Sequence, residues 1–304
     1  MSSSLWFFTQ HANANDQRTT LAAYRTKDAG TSWASNLTNC VDITRDAAGN
    51  LYALKTATGA NTDPPLLYKS IDDGDNWTLH YTFTVGGTAY TPCLVVAHPS
   101  DPNKLFCLFN RFTEVNVYRA YSSNAGVSWT IDDTGFDDTG DLQEMMAVWL
   151  TNGRIVVTVR NAFVVTIRVT DDFGDTFTTK RSEDGVTFAF YKYTSLGGDT
   201  TKLVALREDL TPATDDYSPL VSTDSGGTWT LLDKNLNVAA GLTVTRVIVS
   251  VYDRATDTLY AGYAGTTDKW IWKLSPVSAD GEWENLSSGF GADDVYEDSM
   301  AVIP

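Results

Sequence analysis

The sequence lacks the features that mark disulfide-rich, metal-binding and membrane-spanning proteins. Its 304 residues include three cysteines and three histidines, and neither set has the spacing of a disulfide framework, a zinc site or a Ser-His-Asp triad. No apolar run approaches the length that crosses a bilayer, and the first residues have no basic segment followed by an apolar one. We therefore expect no signal peptide and no membrane insertion.

Basic residues are scarce as well. The chain has 22 Lys and Arg against 38 Asp and Glu, a formal net charge of −16. Binding to a phosphate backbone needs clustered Lys and Arg, so we expect no nucleic-acid partner. Two interpretations of the acidity stay open: it keeps the chain dispersed in solution, or it forms a surface that binds cations.

A repeated turn pattern is the main signal that the sequence contains. A hydroxyl residue, an Asp two positions later, a Gly two positions after that and an aromatic residue three further on recur six times. The copies span residues 26–33, 70–77, 122–129, 170–177, 222–229 and 278–283, and the last copy has lost residues from its turn. Their aromatic residues stand 44 to 54 residues apart, which is typical of one four-stranded propeller blade.

The chemistry of this pattern is that of a tight hairpin turn. Glycine adopts the positive φ that the reversal needs, and the carboxylate accepts bonds from backbone N–H groups of the turn. The aromatic ring begins the next strand and packs inward beneath the turn. The acid position is held by Asp28, Asp72, Asn124, Asp172, Asp224 and Asp280. The aromatic position is held by Trp33, Trp77, Trp129, Phe177, Trp229 and Trp283. We therefore predict structural staples, not active sites, at these positions.

These turns resemble the Asp-box, or bacterial neuraminidase repeat, of the sialidase-like β-propeller superfamily. Residues 98–106 and 253–262 also look like that family's turn between the first and second strands of a blade. The resemblance covers the whole chain and implies a single domain over residues 1–304. The implied fold is an all-β, six-bladed β-propeller with four-stranded antiparallel blades, each with its box between the third and fourth strands.

Runs of alternating apolar residues, bounded by turn residues, predict the strands of each blade. The second repeat has four such runs, at residues 41–45, 51–56, 66–71 and 77–82, whereas the first repeat has three. The apolar residues 299–304 match the strand that opens other repeats. We therefore expect the C-terminal strand to complete blade one and close the ring, which removes exposed sheet edges.

The boxes are expected on one rim of the propeller, which leaves irregular links and turns on the opposite rim for binding. The links are residues 81–91, 130–143, 231–243 and 284–298, and the blade turns are 11–19, 56–65 and 208–217. The candidate ligand-binding residues there are Tyr90, Asp137, Asp138, Asp141, Glu144, Tyr217 and Phe290. Rings beside carboxylates suit sugars, but core packing of the rings and plain solvation of the acids are further interpretations. No cofactor is expected, apart from a divalent cation that the acidic rim could hold.

The resemblance also raises sialidase activity, which uses three arginines, an acid/base Asp and a Tyr activated by a Glu. The family's Arg-Ile-Pro signature is absent near the start, and the catalytic candidates are Tyr296, Glu297 and Asp298. The negative charge of the chain disfavours an anionic sugar. The sequence therefore favours a non-catalytic propeller that presents an acidic, aromatic-bearing rim to a glycan or protein partner.

The setting of such a propeller follows by analogy. An extracellular type of fold without an export signal suits a capsid or tail component of a phage or virus particle, located in the virion or the cytoplasm as part of a larger assembly. A sialidase-like glycoside hydrolase and an intracellular assembly factor are the alternative functions.

Overall fold

The computed structural model describes residues 5–10, 21–26, 34–57, 64–84, 90–111, 116–137, 142–161, 164–184, 190–211, 214–236, 246–254, 256–264 and 269–285. These residues form six antiparallel sheets, numbered here in chain order. Sheet 1 contains β1 (Leu5–Gln10), β2 (Leu21–Thr26) and β3 (Ala34–Thr38). Sheet 2 contains β4 (Cys40–Arg45), β5 (Leu51–Lys55), β6 (Leu66–Ser70) and β7 (Thr78–Thr82). Sheet 3 contains β8 (Tyr90–Ala97), β9 (Leu105–Arg111), β10 (Asn116–Ser122) and β11 (Thr130–Asp137).

The remaining sheets follow the same order. Sheet 4 contains β12 (Leu142–Trp149), β13 (Ile155–Asn161), β14 (Val164–Thr170) and β15 (Thr178–Asp184). Sheet 5 contains β16 (Phe190–Gly198), β17 (Leu203–Thr211), β18 (Thr214–Ser222) and β19 (Thr230–Leu231). Sheet 6 contains β20 (Arg246–Asp253), β21 (Thr258–Ala264), β22 (Lys269–Ser275) and β23 (Glu282–Asn285).

Each sheet is built from strands that are consecutive in the chain and pair in order, so that every sheet is a meander. Five sheets have four strands and sheet 1 has three. The prediction of an all-β chain with four-stranded antiparallel sheets is confirmed, and the arrangement is consistent with a propeller. The expected closing strand at residues 299–304 lies outside the described residues. In the described part of the chain, no helix has the length and apolar character needed to cross a membrane.

The hydrophobic core lies between consecutive sheets and not within one layer. In β9, Leu105, Cys107 and Phe109 pack against sheet 2, whereas Phe106 and Leu108 pack against sheet 4. Successive residues of a strand point to opposite faces, so both faces of this strand are covered. This is why the second strand of a repeat is a continuous apolar run and does not alternate with polar residues.

Five such clusters join the six sheets in sequence. The aromatic residue of each described box packs into the cluster that its sheet shares with the preceding sheet. These residues are Trp77, Trp129, Phe177, Trp229 and Trp283. The box therefore contributes a large apolar ring to the joint between two sheets.

Two segments that were expected to be irregular are largely strand. Residues 130–137, eight of the fourteen residues of one expected link, form β11, which pairs with β10. Residues 208–211 and 214–217, expected within a turn, extend β17 and β18, which pair as far as Thr211 and Thr214. Their acidic residues concealed the strands from the sequence pattern, because Asp and Glu are depleted in strands. Two residues separate β17 from β18 in the chain, and the two strands pair as far as their adjoining ends.

Candidate functional site

Four of the box turns share one backbone conformation. The Gly of each box has a φ between 81° and 87°, and the residue before it has a φ between 57° and 60°. The residues before the glycines are Asp73, Ala125, Phe173 and Ser225. The glycine was expected to have a positive φ, but the second left-handed residue was not. A bulky residue such as Phe173 is rare in this conformation, and the motif left its position undefined.

The acid of the box is the centre of the turn. Oδ1 of Asp72 accepts the backbone N–H of Asn76 at 2.9 Å and the hydroxyl of Ser70 at 2.7 Å, and Oδ2 accepts the side-chain amide of Asn76 at 2.7 Å. The hydroxyl oxygen of Ser70 accepts the backbone N–H of Gly74 at 2.8 Å. Asp172 and Asp224 each make the three equivalent bonds. These carboxylates are therefore engaged within their own turns.

The residue before the aromatic also takes part in the turn, which sequence reasoning missed. Its backbone N–H and its side chain both bond to the side chain at the acid position. These residues are Asn76, Ser128, Thr176 and Thr228. A short polar residue in each copy was the available signal.

The turn with Asn124 shows how an amide replaces the acid. Oδ1 of Asn124 accepts the backbone N–H of Ser128 at 2.9 Å and the hydroxyl of Ser122 at 3.0 Å. Nδ2 donates to the Ser128 hydroxyl at 2.8 Å, where the carboxylates of the other turns accept. The turn keeps its shape without a charge.

Hydrogen bonding changes the acidity of the box carboxylates. The bonds from Asn76 and Ser70 lower the pKa of Asp72 to about 2. Bonds from Thr228 lower the pKa of Asp224. Partial desolvation raises the pKa of Asp172, but the bonds from Thr176 and Thr170 outweigh it and the net shift is downward. The three groups are therefore held as carboxylates, the form that accepts these bonds.

The last copy does not follow the sequence prediction, which placed its hydroxyl residue at Ser278. In sheet 2, the residue after the box aromatic pairs with Lys69, which immediately precedes the hydroxyl residue Ser70. In sheet 6, the residue after the box aromatic pairs with Lys273. The residue at the hydroxyl position is therefore Leu274.

The turn of sheet 6 has gained residues, and the prediction that it had lost some is wrong. Eight residues, 275–282, separate Leu274 from the aromatic, against six, 71–76, in sheet 2. Leu274 is fully buried, so core packing sets the register of this hairpin. Ser278 and Asp280 reproduce the hydroxyl-to-acid spacing of the motif, but Ser278 lies four residues beyond Leu274, and the Asp280 N–H donates to the Ser278 hydroxyl at 3.2 Å.

The opposite end of the sheets carries the candidate ligand-binding residues. Tyr90 pairs with Arg111 and Asp137 with Asn116 at the end of sheet 3 remote from its box, and Glu144 pairs with Arg160 at the same end of sheet 4. The backbone thus brings Tyr90, Asp137 and Glu144 to one rim. Asp138, Asp141, Phe290, Tyr296, Glu297 and Asp298 lie outside the described residues.

Tyr217 is the candidate that the structure places elsewhere. It is fully buried in the cluster between sheets 5 and 6, together with Leu206, Leu236 and Trp272. Its ring packs in the core and is not exposed to stack on a ligand. The sequence could not separate the two roles, because a Tyr in a β-strand suits either a core or a binding surface.

Metal-binding geometry is absent from the part of the chain that the structure describes. No three His, Cys, Asp or Glu side chains of those residues are grouped so that they could hold an ion. Cys40 and Cys107 are buried free thiols whose pKa values burial raises. A cation on the acidic rim stays a proposal, since most of that rim falls outside the described ranges.

Comparison with known proteins identifies the fold and no family. No family model matches the chain, and no curated protein matches it in sequence. A protein from Lactobacillus plantarum has a similar structure, with 13% identity, a TM-score of 0.60, and coverage of 94% of this chain and 82% of that one. TolB from Acinetobacter baumannii has 11% identity and a TM-score of 0.55 over 93% of this chain and 65% of its own. The α-L-arabinofuranosidase of Fusarium graminearum has 13% identity and a TM-score of 0.51 over 93% and 84%. At such identities the likeness concerns the fold alone, and with the sheet arrangement it supports a β-propeller.

Proposed function

We propose that the chain is a non-catalytic binding propeller whose rim opposite the boxes holds a glycan or protein partner. The observation that carries this proposal is the use of the box side chains. Asp72, Asp172 and Asp224 each accept three bonds from their own turn. The groups available to a ligand are therefore better sought at the other ends of the sheets, where the strands place the backbone of Tyr90, Asp137 and Glu144.

The architecture behind this proposal is a closed ring of six blades formed by one domain, residues 1–304, of the Asp-box sialidase-like superfamily. The register supports the closure. Leu5 pairs with Thr26 as Leu51 pairs with Ser70, so β1 corresponds to the second strand of sheet 2. The strand missing from sheet 1 is thus the first, and the segment 299–304 would supply it.

A glycoside hydrolase is the second candidate function. The fold likeness to the Fusarium α-L-arabinofuranosidase favours it, although fold alone does not carry an activity. Under this alternative, Tyr296, Glu297 and Asp298 are the residues whose replacement should abolish hydrolysis.

The experiment that separates these functions uses the full chain. A panel of chromogenic glycosides, sialosides and arabinofuranosides included, is incubated with the wild type and with Glu297→Gln and Asp298→Asn. We expect no hydrolysis. Turnover that either variant abolishes would overturn the non-catalytic proposal.

Binding is tested on a glycan array with the wild type, Tyr90→Ala, Glu144→Gln and a control, Lys180→Ala, whose side chain is exposed on β15. Hits that Tyr90→Ala removes and Lys180→Ala retains support a glycan partner.

An array without hits, together with co-sedimentation of the chain with a virus-like particle, supports a structural role in a larger assembly. Repeating the array with EDTA tests whether a divalent cation on the acidic rim takes part. Co-purification of a folding intermediate would favour the assembly factor.

A further inference from the structure

The box turns receive hydrogen bonds from the preceding sheet. In each of sheets 2 to 5, the acceptor is the backbone carbonyl of the left-handed residue before the box Gly. Arg25 donates to Asp73 O, His80 Nε2 to Ala125 O at 2.8 Å, Arg119 to Phe173 O at 2.6 Å and Arg154 to Ser225 O at 3.2 Å. One backbone position therefore meets a side-chain donor from the neighbouring sheet at four successive joints.

The turn of sheet 6, which does not follow the box pattern, also accepts a side-chain hydrogen bond from the preceding sheet. Lys202 of sheet 5 donates to Val277 O at 2.6 Å and also bonds both carboxylate oxygens of Asp257, at 2.6 and 2.9 Å. The motif is lost at this turn, because Leu274 stands at the hydroxyl position. The cross-sheet bond nevertheless persists.

The donors do not occupy equivalent positions of their sheets. Arg119 lies on the third strand of sheet 3, Arg25 lies on β2 of the three-stranded sheet 1, and His80 lies on the fourth strand of sheet 2. Arg154 and Lys202 come directly before second strands. The repeat therefore does not determine where the donor lies. What recurs at each joint is the acceptor, the backbone carbonyl of the residue before the box Gly.

The geometry of the turn explains why this carbonyl serves. Two consecutive left-handed residues rotate the peptide between them away from the hairpin ladder. A polar backbone group that leaves the ladder needs a partner from elsewhere. Guanidinium and ammonium donors make charge-assisted bonds, which are stronger than neutral ones.

Most donors are also anchored by a carboxylate. Arg119 is 8% exposed and pairs with Asp175 of the next sheet and with Asp132 of its own, the latter at 3.1 Å. Arg25, equally buried, pairs with Asp75 of the next sheet. These ion pairs hold the guanidinium groups in position beneath the neighbouring turn.

We propose that the backbone carbonyl before the box Gly is the acceptor of an inter-blade clasp. A clasp is the hydrogen bond by which a side chain of one sheet holds the box turn of the next sheet. Every described clasp runs in the same direction, from donor in one sheet to acceptor in the following sheet. The box turn thus has two functions: its acid closes the hairpin, and its carbonyl joins the blades.

Hydrogen exchange read by mass spectrometry tests the clasp between sheets 3 and 4. In Arg119→Met, the amide protons of Gly174, Asp175 and Thr176 should exchange about tenfold faster. The box amides of sheet 3 itself, which hosts the substitution, should be unchanged. Arg119→Lys, which keeps a donor, should restore part of the protection.

Lys180→Met, an exposed substitution in sheet 4, is the matched control and should leave all of these amides unchanged. If Arg119→Met accelerated amide exchange in sheet 3 alone, or equally throughout the chain, the proposed clasp would be overturned. If Arg119→Met does not fold, Lys202→Met provides the second test. It should accelerate exchange at Ser278 and Gly281 of sheet 6 and leave the box amides of sheet 5 unchanged, and the reverse result would overturn the proposal.

Discussion

The two joints on either side of sheet 3 are held by different chemistry. Toward sheet 2, Phe83 lies with its ring centroid 4.7 Å from that of Phe109 and 5.0 Å from that of Trp129, and the clasp donor is an imidazole. Toward sheet 4, the clasp donor is the Arg119 guanidinium, and the ring of Phe173 stacks on Tyr121 at 4.4 Å. The joint between sheets 2 and 3 is mainly apolar, whereas the joint between sheets 3 and 4 also has the ion pair between Arg119 and Asp175.

The difference shows what the repeat determines and what it leaves free. The turn supplies the same acceptor at both joints, but the donor and the rings around it vary. The two joints should therefore respond differently to truncation and to crowding, and charged groups elsewhere should respond to acid and to salt.

The largest effect is expected from truncating the apolar joint. Phe109→Ala, at a position that is 1% exposed, should lower the free energy of unfolding by about 3–5 kcal/mol, because it leaves a cavity between sheets 2 and 3. Denaturant unfolding measures it. Leu79→Ala, at a side chain that is 53% exposed, is the control and should change stability little.

The second largest effect is expected from adding a Cβ at the box Gly, and it should differ between the two joints. Gly174→Ala and Gly126→Ala both place a Cβ at a positive φ, which costs about 1–2 kcal/mol. The Cβ at 174 would lie 2.9 Å from Arg119 Cδ and 3.0 Å from a Phe106 ring carbon, whereas the nearest atom at 126 is 3.1 Å away, in His80. Gly174→Ala should therefore be the more destabilising of the two. Gly49→Ala, with a φ of 88° and no atom within 4 Å, isolates the backbone cost; equal losses at all three positions would contradict the crowding argument.

Acid should weaken the turn of sheet 2 and spare that of sheet 3. The folded pKa of Asp72 is about 2, below its unfolded value of about 3.9, so its contribution is complete above the unfolded value and disappears as the pH falls through 2. The difference in Tm between the wild type and Asp72→Asn should shrink steadily below pH 4. Asn124→Asp should create a similar pH dependence in sheet 3. A difference that stays constant from pH 7 to pH 2 would refute this assignment.

The smallest effect is expected at the exposed ion pair between Arg154 and Asp171, whose side chains are 24% and 64% exposed. Asp171→Asn should cost about 0.2–1 kcal/mol at low salt, and less at an ionic strength of about 1 M, because salt screens exposed charges. Thermal melting at the two ionic strengths measures it. A cost that salt does not reduce would mean that the lost hydrogen bonds, not the charges, are responsible.

Much of the fold could be predicted from the sequence because the repeat is local. The spacing of Ser70, Asp72, Gly74 and Trp77 specifies a hairpin whose groups bond to one another. The sixth turn misled this reasoning, since Ser278 imitates the pattern while core packing sets the register.

The clasps and the burial of Tyr217 were beyond the sequence for a physical reason. Donors such as Arg25 and Arg154 act on turns about fifty or seventy residues away in the chain, and nothing in their own neighbourhood marks them. Tyr217 and Tyr90 likewise have similar sequence surroundings, and only the packing of sheet 5 against sheet 6 assigns the first to the core.

The common direction of the clasps gives each of sheets 2 to 5 a donor side and an acceptor side, as in a head-to-tail assembly. Such an interface ends only when the rotation per sheet brings the last donor side onto the first acceptor side; otherwise it adds further units. A chain shortened by its last sheet would leave Lys202, the donor of sheet 5, without its acceptor in the next sheet. In the closed ring proposed above, such a chain should associate end to end into open oligomers, so that the last blade would keep the protein a single molecule.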